Sequence, residues 1–418
     1  VILLFFSETE KKISCCKQAL EGNRKSHKFQ LMNYWLFVCF FYFGSVLPLV
    51  AQQERYMPRY SSTLHTVLKM EEVRIGRTDL INRYDSTFRL VDHLIDRAQK
   101  EINFSPGENS NVSARRVLKN IHELLLDEGF IFNRSKGSFY ESLTPIAPYS
   151  PEIPKYLANL RPAERRAAAK RKPEAYYLAD CDISVLLYMA ISESLQLPVT
   201  AVWLPKHMIL RWELPGNNML LVETQTGRIS NSEVAYREKY RISLAEEVAY
   251  EYFKPLGSAA LKGLYSMLFG IDKWMYPPCS DSLRGQFLDQ ALQLRPAMPF
   301  LQVMCINHWL ITNDTARFDK VSELAATLLK ITPRHNYYQL VHAYAAIKTG
   351  KASEMVVQLE QELQANPANG AMVDMLGYAY LKTGQPEKAC ECFSKAKALG
   401  ITAHAEKEIQ DFIEKSCN

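Results

Sequence analysis

The chain has 418 residues, 47% of them hydrophobic and 23% charged, with 17 Gly and 20 Pro. That composition excludes a disordered chain, a collagen-like chain and a small disulfide-stapled scaffold; at roughly 100–200 residues per domain the length predicts two or three units, each able to bury a core. A net charge of +5, spread over 50 basic and 45 acidic residues, is too weak to point to nucleic acid or another polyanion as partner.

No residue from Phe29 to Gln53 is charged, and the basic cluster Arg24, Lys25 and Lys28 precedes its apolar centre, Tyr34 to Ala51. A basic flank, an apolar run and a small residue before Gln52-Gln53-Glu54 follow the plan of a secretory signal. Residues 32–51 therefore predict an exported, periplasmic or extracytoplasmic protein. The run also approaches the ~20 residues that span a bilayer, so an uncleaved membrane anchor is the alternative, and the one membrane contact predicted. Met32 stands just before the run while the chain begins at Val1, so residues 1–31 read as an upstream extension outside the fold.

Residues 52–280 read as a first domain, with its core at 112–250. Glu54 to Glu101 is helical in pattern, because Ile81, Tyr84, Phe88, Val91, Ile95 and Ala98 recur at three- and four-residue intervals. Pro106 to Asn111 is a turn, and Val112 to Glu128 a second amphipathic helix stopped by Gly129 ahead of Phe130-Ile131-Phe132. Pro145 to Pro154 is a proline-punctuated loop. Arg161 to Lys172 sets six basic residues around three alanines, a pattern of a solvated helix face or of a docking patch for an anionic partner. Asp182 to Leu195 is a strongly apolar helix. Three strands follow, at Val199–Leu204, Met208–Leu214 and Met219–Glu223, the last two joined by the turn Pro215-Gly216-Asn217-Asn218. One helix followed by an antiparallel meander predicts an α+β domain with the helix packed on the sheet.

Residues 281–418 are helix after helix, and they repeat. Lys348-Thr349-Gly350 returns as Lys382-Thr383-Gly384, Tyr344 as Tyr378, Leu359 as Phe393 and Pro333 as Pro367, each 34 residues on. A helix–turn–helix period of that length reads as tetratricopeptide repeats, and Leu376, Gly377, Tyr380, Ala389, Phe393 and Ala396 closely resemble the motif. A longer, weaker copy covers Pro299 to Thr332, and the helix from Ser282 to Leu294 is expected to cap the stack. Such stacks expose a concave surface, so the partner predicted is a protein or peptide.

Six of the nine cysteines follow Ala51: Cys181, Cys279, Cys305, Cys390, Cys392 and Cys417. Cys390 and Cys392 sit two apart on one predicted helix and cannot pair with each other, and packing is role enough for the five in or beside the repeats. Cys181 differs, because it opens the apolar helix. Unpaired N–H groups there favour thiolate, whereas Asp180 and Asp182 oppose it, and the sequence leaves that balance open. His207 opens the second strand and Glu223 ends the third, so an antiparallel meander can bring them side by side, facing a cysteine at a helix start. That is the layout of a Cys-His-acid triad: Cys181 as nucleophile, His207 as base and Glu223 as the acid that orients the imidazole. Trp203 and Trp212 flank His207 and are candidates for packing or substrate contact, and Gln225 for substrate orientation. No metal constellation and no phosphate-binding glycine loop is visible, so no cofactor is predicted.

The order of cysteine-headed helix, Leu197-Pro198 turn, Pro205-Lys206-His207 strand and carboxylate strand resembles the transglutaminase-like core, a papain-like α+β fold. Leu124 to Phe130, the Phe139-Tyr140 pair and the Leu204 to His207 turn resemble its SirB-type branch, which joins such a core to C-terminal tetratricopeptide repeats. The resemblance implies an acyl-transfer or amide-hydrolysing protein with nucleophile Cys181, base His207 and acid Glu223, where the superfamily usually has Asp. Members of that branch often lack the cysteine, so the alternative is a non-catalytic interaction scaffold on the same fold.

Overall fold

The computed structural model describes residues 55–132, 135–158, 160, 165, 168, 170–271, 279–401 and 406–417. All belong to the compact unit Arg55–Asn418. The leader or anchor expected at 32–51, the extension at 1–31, and Arg161 and Arg166 of the basic stretch lie outside the described residues. Among the described residues no helix is long and apolar enough to cross a membrane. The architecture is mostly helical, with a small antiparallel sheet and a C-terminal region of repeated helical pairs.

Helix α1 (Thr63–Ile75) starts at a reciprocal cap between Ser62 and His65 and ends at Gly76, whose φ of 63° is left-handed. That break divides the helical pattern before Glu101, and α2 (Ile81–Glu101) follows. Helix α3 (Asn111–Asp127) is capped by Ser110 and stops at Gly129. Gly129 has a φ of 93°, and an added Cβ would meet the Ala175 carbonyl at 2.1 Å, so no other residue fits there. Strand β1 (Phe130–Phe132) then pairs in parallel with β2 (Tyr177–Ala179). Between them lie α4 (Phe139–Ser142) and α5 (Ile153–Ala158). The buried Glu71 carboxylate accepts from the amides of Phe139 and Tyr140 at 2.6 and 3.0 Å, which seats α4 on α1.

Strand β2 runs straight into α6 (Cys181–Ser194), capped by the Asp180 carboxylate accepting from the Ile183 amide at 3.1 Å. Every side chain from Ile183 to Ser192 is buried, as befits a helix apolar on all sides. Strands β3 (Val199–Leu204), β4 (His207–Leu214) and β5 (Asn218–Glu223) form the expected meander. Two short strands extend it, β6 (Arg228–Ser230) and β7 (Pro255–Leu256), giving the order β6-β5-β4-β3-β7. Helices α7 (Val234–Tyr240) and α8 (Leu244–Tyr250) lie between β6 and β7, and α9 (Ser258–Gly270) follows. Alternation along the strands separates two cores. Met208, Leu210, Trp212, Leu220 and Val222 pack in the main core with α6, while Ile209 and Leu221 pack with Tyr236 and Phe253 on the other face.

The repeats comprise α10 (Asp281–Leu294), α11 (Pro299–Ile311), α12 (Phe318–Ile331), α13 (Asn336–Lys348), α14 (Ala352–Ala365), α15 (Gly370–Lys382), α16 (Pro386–Ala398) and α17 (Lys407–Ser416). Helices α13 and α15 start 34 residues apart, as do α14 and α16, whereas α11 and α13 start 37 apart. A Cβ on Gly377 would stand 2.7 Å from the Phe393 ring, so glycine there lets α15 and α16 close together. Helix α10, expected as a cap, also packs against α9: a Cβ on Gly263 would meet Leu294 at 2.8 Å, and Arg295 pairs with Glu251 at 2.6 Å. The main apolar core accordingly runs without a gap from Leu64 to Ala345. The other end of the stack is closed by α17, which the periodicity did not predict.

Packing does not account for all five C-terminal thiols, because Cys390 and Cys417 form a disulfide with Cα atoms 5.2 Å apart. It fastens α17 to α16 from 27 residues away, a separation too long for local spacing to reveal. Closing a loop of that size restrains the unfolded chain by about 3.5 kcal/mol. Cys390→Ser should therefore speed amide hydrogen exchange across Lys407–Ser416 while leaving α6 and the sheet protected.

Candidate functional site

The structure brings His207 and Glu223 together. Nε2 of His207 lies 2.7 Å from Oε2 of Glu223, and both side chains are largely buried. Their strands place them there: β4 begins at His207 and β5 ends at Glu223, and both residues alternate onto the face that carries α7. Nε2–H donates to the carboxylate, so Nδ1 is the nitrogen left to take a proton.

Helix α7 completes the setting of this pair. Tyr236, Lys239 and Tyr240, spaced to share one helix face, all meet it. Tyr236 donates its hydroxyl to Glu223, and Lys239 Nζ lies 3.8 Å from Oε1. Tyr240 stacks on the imidazole at 5.8 Å and 25°. Burial alone would raise the Glu223 carboxyl, but the hydrogen bond and charge of His207, the Lys239 charge and the Tyr236 hydroxyl outweigh it and hold the carboxyl below its usual range. The carboxylate is thus kept ionised, ready to stabilise a positive imidazole. Nothing in the sequence marked these three residues beyond the spacing of Tyr236-Arg237-Glu238-Lys239-Tyr240.

Cys181 comes to the same end of the sheet from the other side. Its sulfur accepts the backbone N–H of Met208, the residue after His207. The Ser184 hydroxyl joins the first turn of α6 to the end of β5, contacting the Cys181 carbonyl at 3.1 Å and the Thr224 hydroxyl at 2.6 Å. Among the described residues no hydrogen bond joins Cys181 to His207; the thiol instead approaches Asp182 Oδ1 at 3.9 Å. The balance left open by the sequence goes against thiolate. Burial pushes the thiol up, Asp182 and Asp180 add to it, and amide hydrogen bonds from Met208 and Asp182 offset only part, leaving it at about 12. At rest the sulfur is protonated.

Of the two flanking tryptophans, Trp212 is a core residue: it is 0% exposed and donates its indole N–H to Asn109 Oδ1 at 2.8 Å. That burial leaves no face for a substrate. Trp203 is half-buried and packs edge-on against Tyr252 at 5.2 Å and Tyr250 at 6.1 Å. Gln225 lines a cavity of about 260 Å³ beside the site. Among the described residues no group of three or more His, Cys, Asp or Glu is placed to hold a metal ion.

No known protein family matches the chain, and no curated protein does. Among solved structures it is similar to a tetratricopeptide repeat protein from Parabacteroides merdae ATCC 43184, with 14% identity and a TM-score of 0.25 over 78% of this chain and 97% of that one.

Proposed function

We propose that the region ahead of the repeats is a transglutaminase-like domain of the SirB type that performs cysteine-dependent acyl transfer or amide hydrolysis. The observation that carries this reading is the 2.7 Å His207–Glu223 pair at the strand ends, with Cys181 bonded to the next residue's amide at the head of α6. The thiol rests protonated and is not bonded to His207 at rest, so the reaction starts when the arriving substrate draws Sγ and Nδ1 of His207 together and the proton passes between them. The thiolate attacks the carbonyl carbon, forming a C–S bond and a tetrahedral oxyanion. The oxyanion collapses, the C–N bond breaks, and the imidazolium returns its proton to the leaving amine, leaving a thioester. Water or a second amine then attacks the thioester, forming a C–O or C–N bond while His207 takes its proton; the C–S bond breaks, the acid or new amide leaves, and the imidazolium returns the proton to the thiolate. Glu223 stabilises the imidazolium at both stages.

The 34-residue helical pairs support the reading of α11–α16 as tetratricopeptide repeats that present a protein or peptide partner. The uncharged run before Gln52 and the Cys390–Cys417 disulfide support export, since disulfides persist in oxidising compartments. One observation favours the non-catalytic scaffold reading: a thiol held near 12 has little thiolate of its own. A neutral electrophilic probe separates the two. Enzyme chemistry predicts labelling of Cys181 well ahead of Cys279, Cys305 and Cys392, whereas equal labelling of all four supports the scaffold.

A further inference from the structure

The cavity beside the site is walled on one side by β1, whose partner strand β2 leads into Cys181, and on another by the turn that follows Glu223. Its wall residue Phe132 is register-paired with Ala179, two residues before Cys181. Two of its polar residues, Gln225 and Thr226, begin two positions after Glu223. Leu126, Phe130 and Tyr176 complete an apolar lining. The His122 ring lies flat on Phe132 at 5.1 Å and 16°, and shares its Nδ1 with the Tyr188 hydroxyl at 2.9 Å. The cation in the lining, Arg171, is held by Glu123 and Asp127, so its charge is already met by two carboxylates. At about 260 Å³ the space is smaller than the ~300–1,000 Å³ that takes a whole small molecule. It has room for one side chain.

We propose that this cavity is the specificity subsite of the reaction, receiving an aliphatic or aromatic side chain of the peptide whose amide is presented to Cys181. The inference rests on the acyl-transfer reading above. It makes the substrate an amide next to an apolar residue.

The test uses the full chain and four N-acetyl aminoacyl vinyl sulfones that differ only in side chain: Phe, Leu, Ala and Asp. Intact mass and peptide mapping follow the rate of addition at Cys181. The Phe and Leu reagents should react roughly tenfold or more faster than the Ala and Asp reagents, and Leu126→Trp, which fills the cavity, should collapse that ratio. Equal rates for all four reagents, or a preference that survives Leu126→Trp, overturn the proposal. If no reagent labels Cys181, the acyl-transfer reading fails, and the cavity is judged by binding of N-acetyl-phenylalaninamide in NMR titration. Shifts at the Phe132 and Gln225 amides that vanish in Leu126→Trp uphold an apolar subsite. Shifts elsewhere, or none, overturn it.

Discussion

Replacing His207 by alanine should slow acylation of Cys181 by p-nitrophenyl acetate about 10²–10⁴-fold, the range lost when a positioned general base is removed. The expectation follows from the thiol's environment. Burial and two neighbouring aspartates keep Cys181 protonated near 12, so an unassisted sulfur offers a very small thiolate fraction at neutral pH. Removing the imidazole leaves that fraction as the whole supply of nucleophile. Glu223→Gln should fall between wild type and His207→Ala, because an amide can still bond Nε2 at the 2.7 Å contact but cannot stabilise the imidazolium by charge. The fold should be unaffected in both variants, which far-UV circular dichroism checks. Stopped-flow release of p-nitrophenolate, read with Cys181→Ala as the baseline, measures the effect.

Trp212→Ala should destabilise the protein by about 3–5 kcal/mol, the cost of deleting a large, fully buried ring. The indole is 0% exposed and meets the Phe104 ring edge-on at 5.5 Å and 82°. Its N–H donates to Asn109 Oδ1, so truncation also strips that acceptor of its partner. Trp203→Ala should cost less, since Trp203 is only half-buried against Tyr250 and Tyr252. Urea unfolding followed by circular dichroism distinguishes the two. A Trp212→Ala midpoint equal to wild type would remove Trp212 from the core and return it to the candidates for substrate contact.

These two tryptophans show how far alternation reads and where it stops. Strand β3 lies where its sequence pattern puts it, and β4 and β5 begin one residue early, because apolar alternation and the Pro215-Gly216-Asn217 turn set their register. The same alternation puts Trp212 on the face of Met208 and Leu210, the face under α6, and His207 on the opposite one. Strands β1, β2, β6 and β7 are two or three residues long, too short for any period, and exist through their pairing. The His207–Glu223 contact was legible from strand ends. The Cys181 environment was not, because it depends on the Met208 amide and on burial that only the packed sheet supplies. Tyr236, Lys239 and Tyr240 were hidden for a similar reason: a seven-residue helix has little periodicity, and its meaning comes from where β6 delivers it. The Cys390–Cys417 bond likewise waits on the return of α17 toward α16.

Whether the His207 imidazole serves the Cys181 thiol is read from the pH profile of Cys181 alkylation by iodoacetamide. With His207 in place the rate should rise with pH and level off well before the thiol itself would ionise near 12. In His207→Ala the rate should lack that step and climb about tenfold per pH unit toward 12, the behaviour of a buried thiol left to itself. Superimposable profiles for wild type and His207→Ala, both climbing without a plateau, would show that His207 does not serve the thiol.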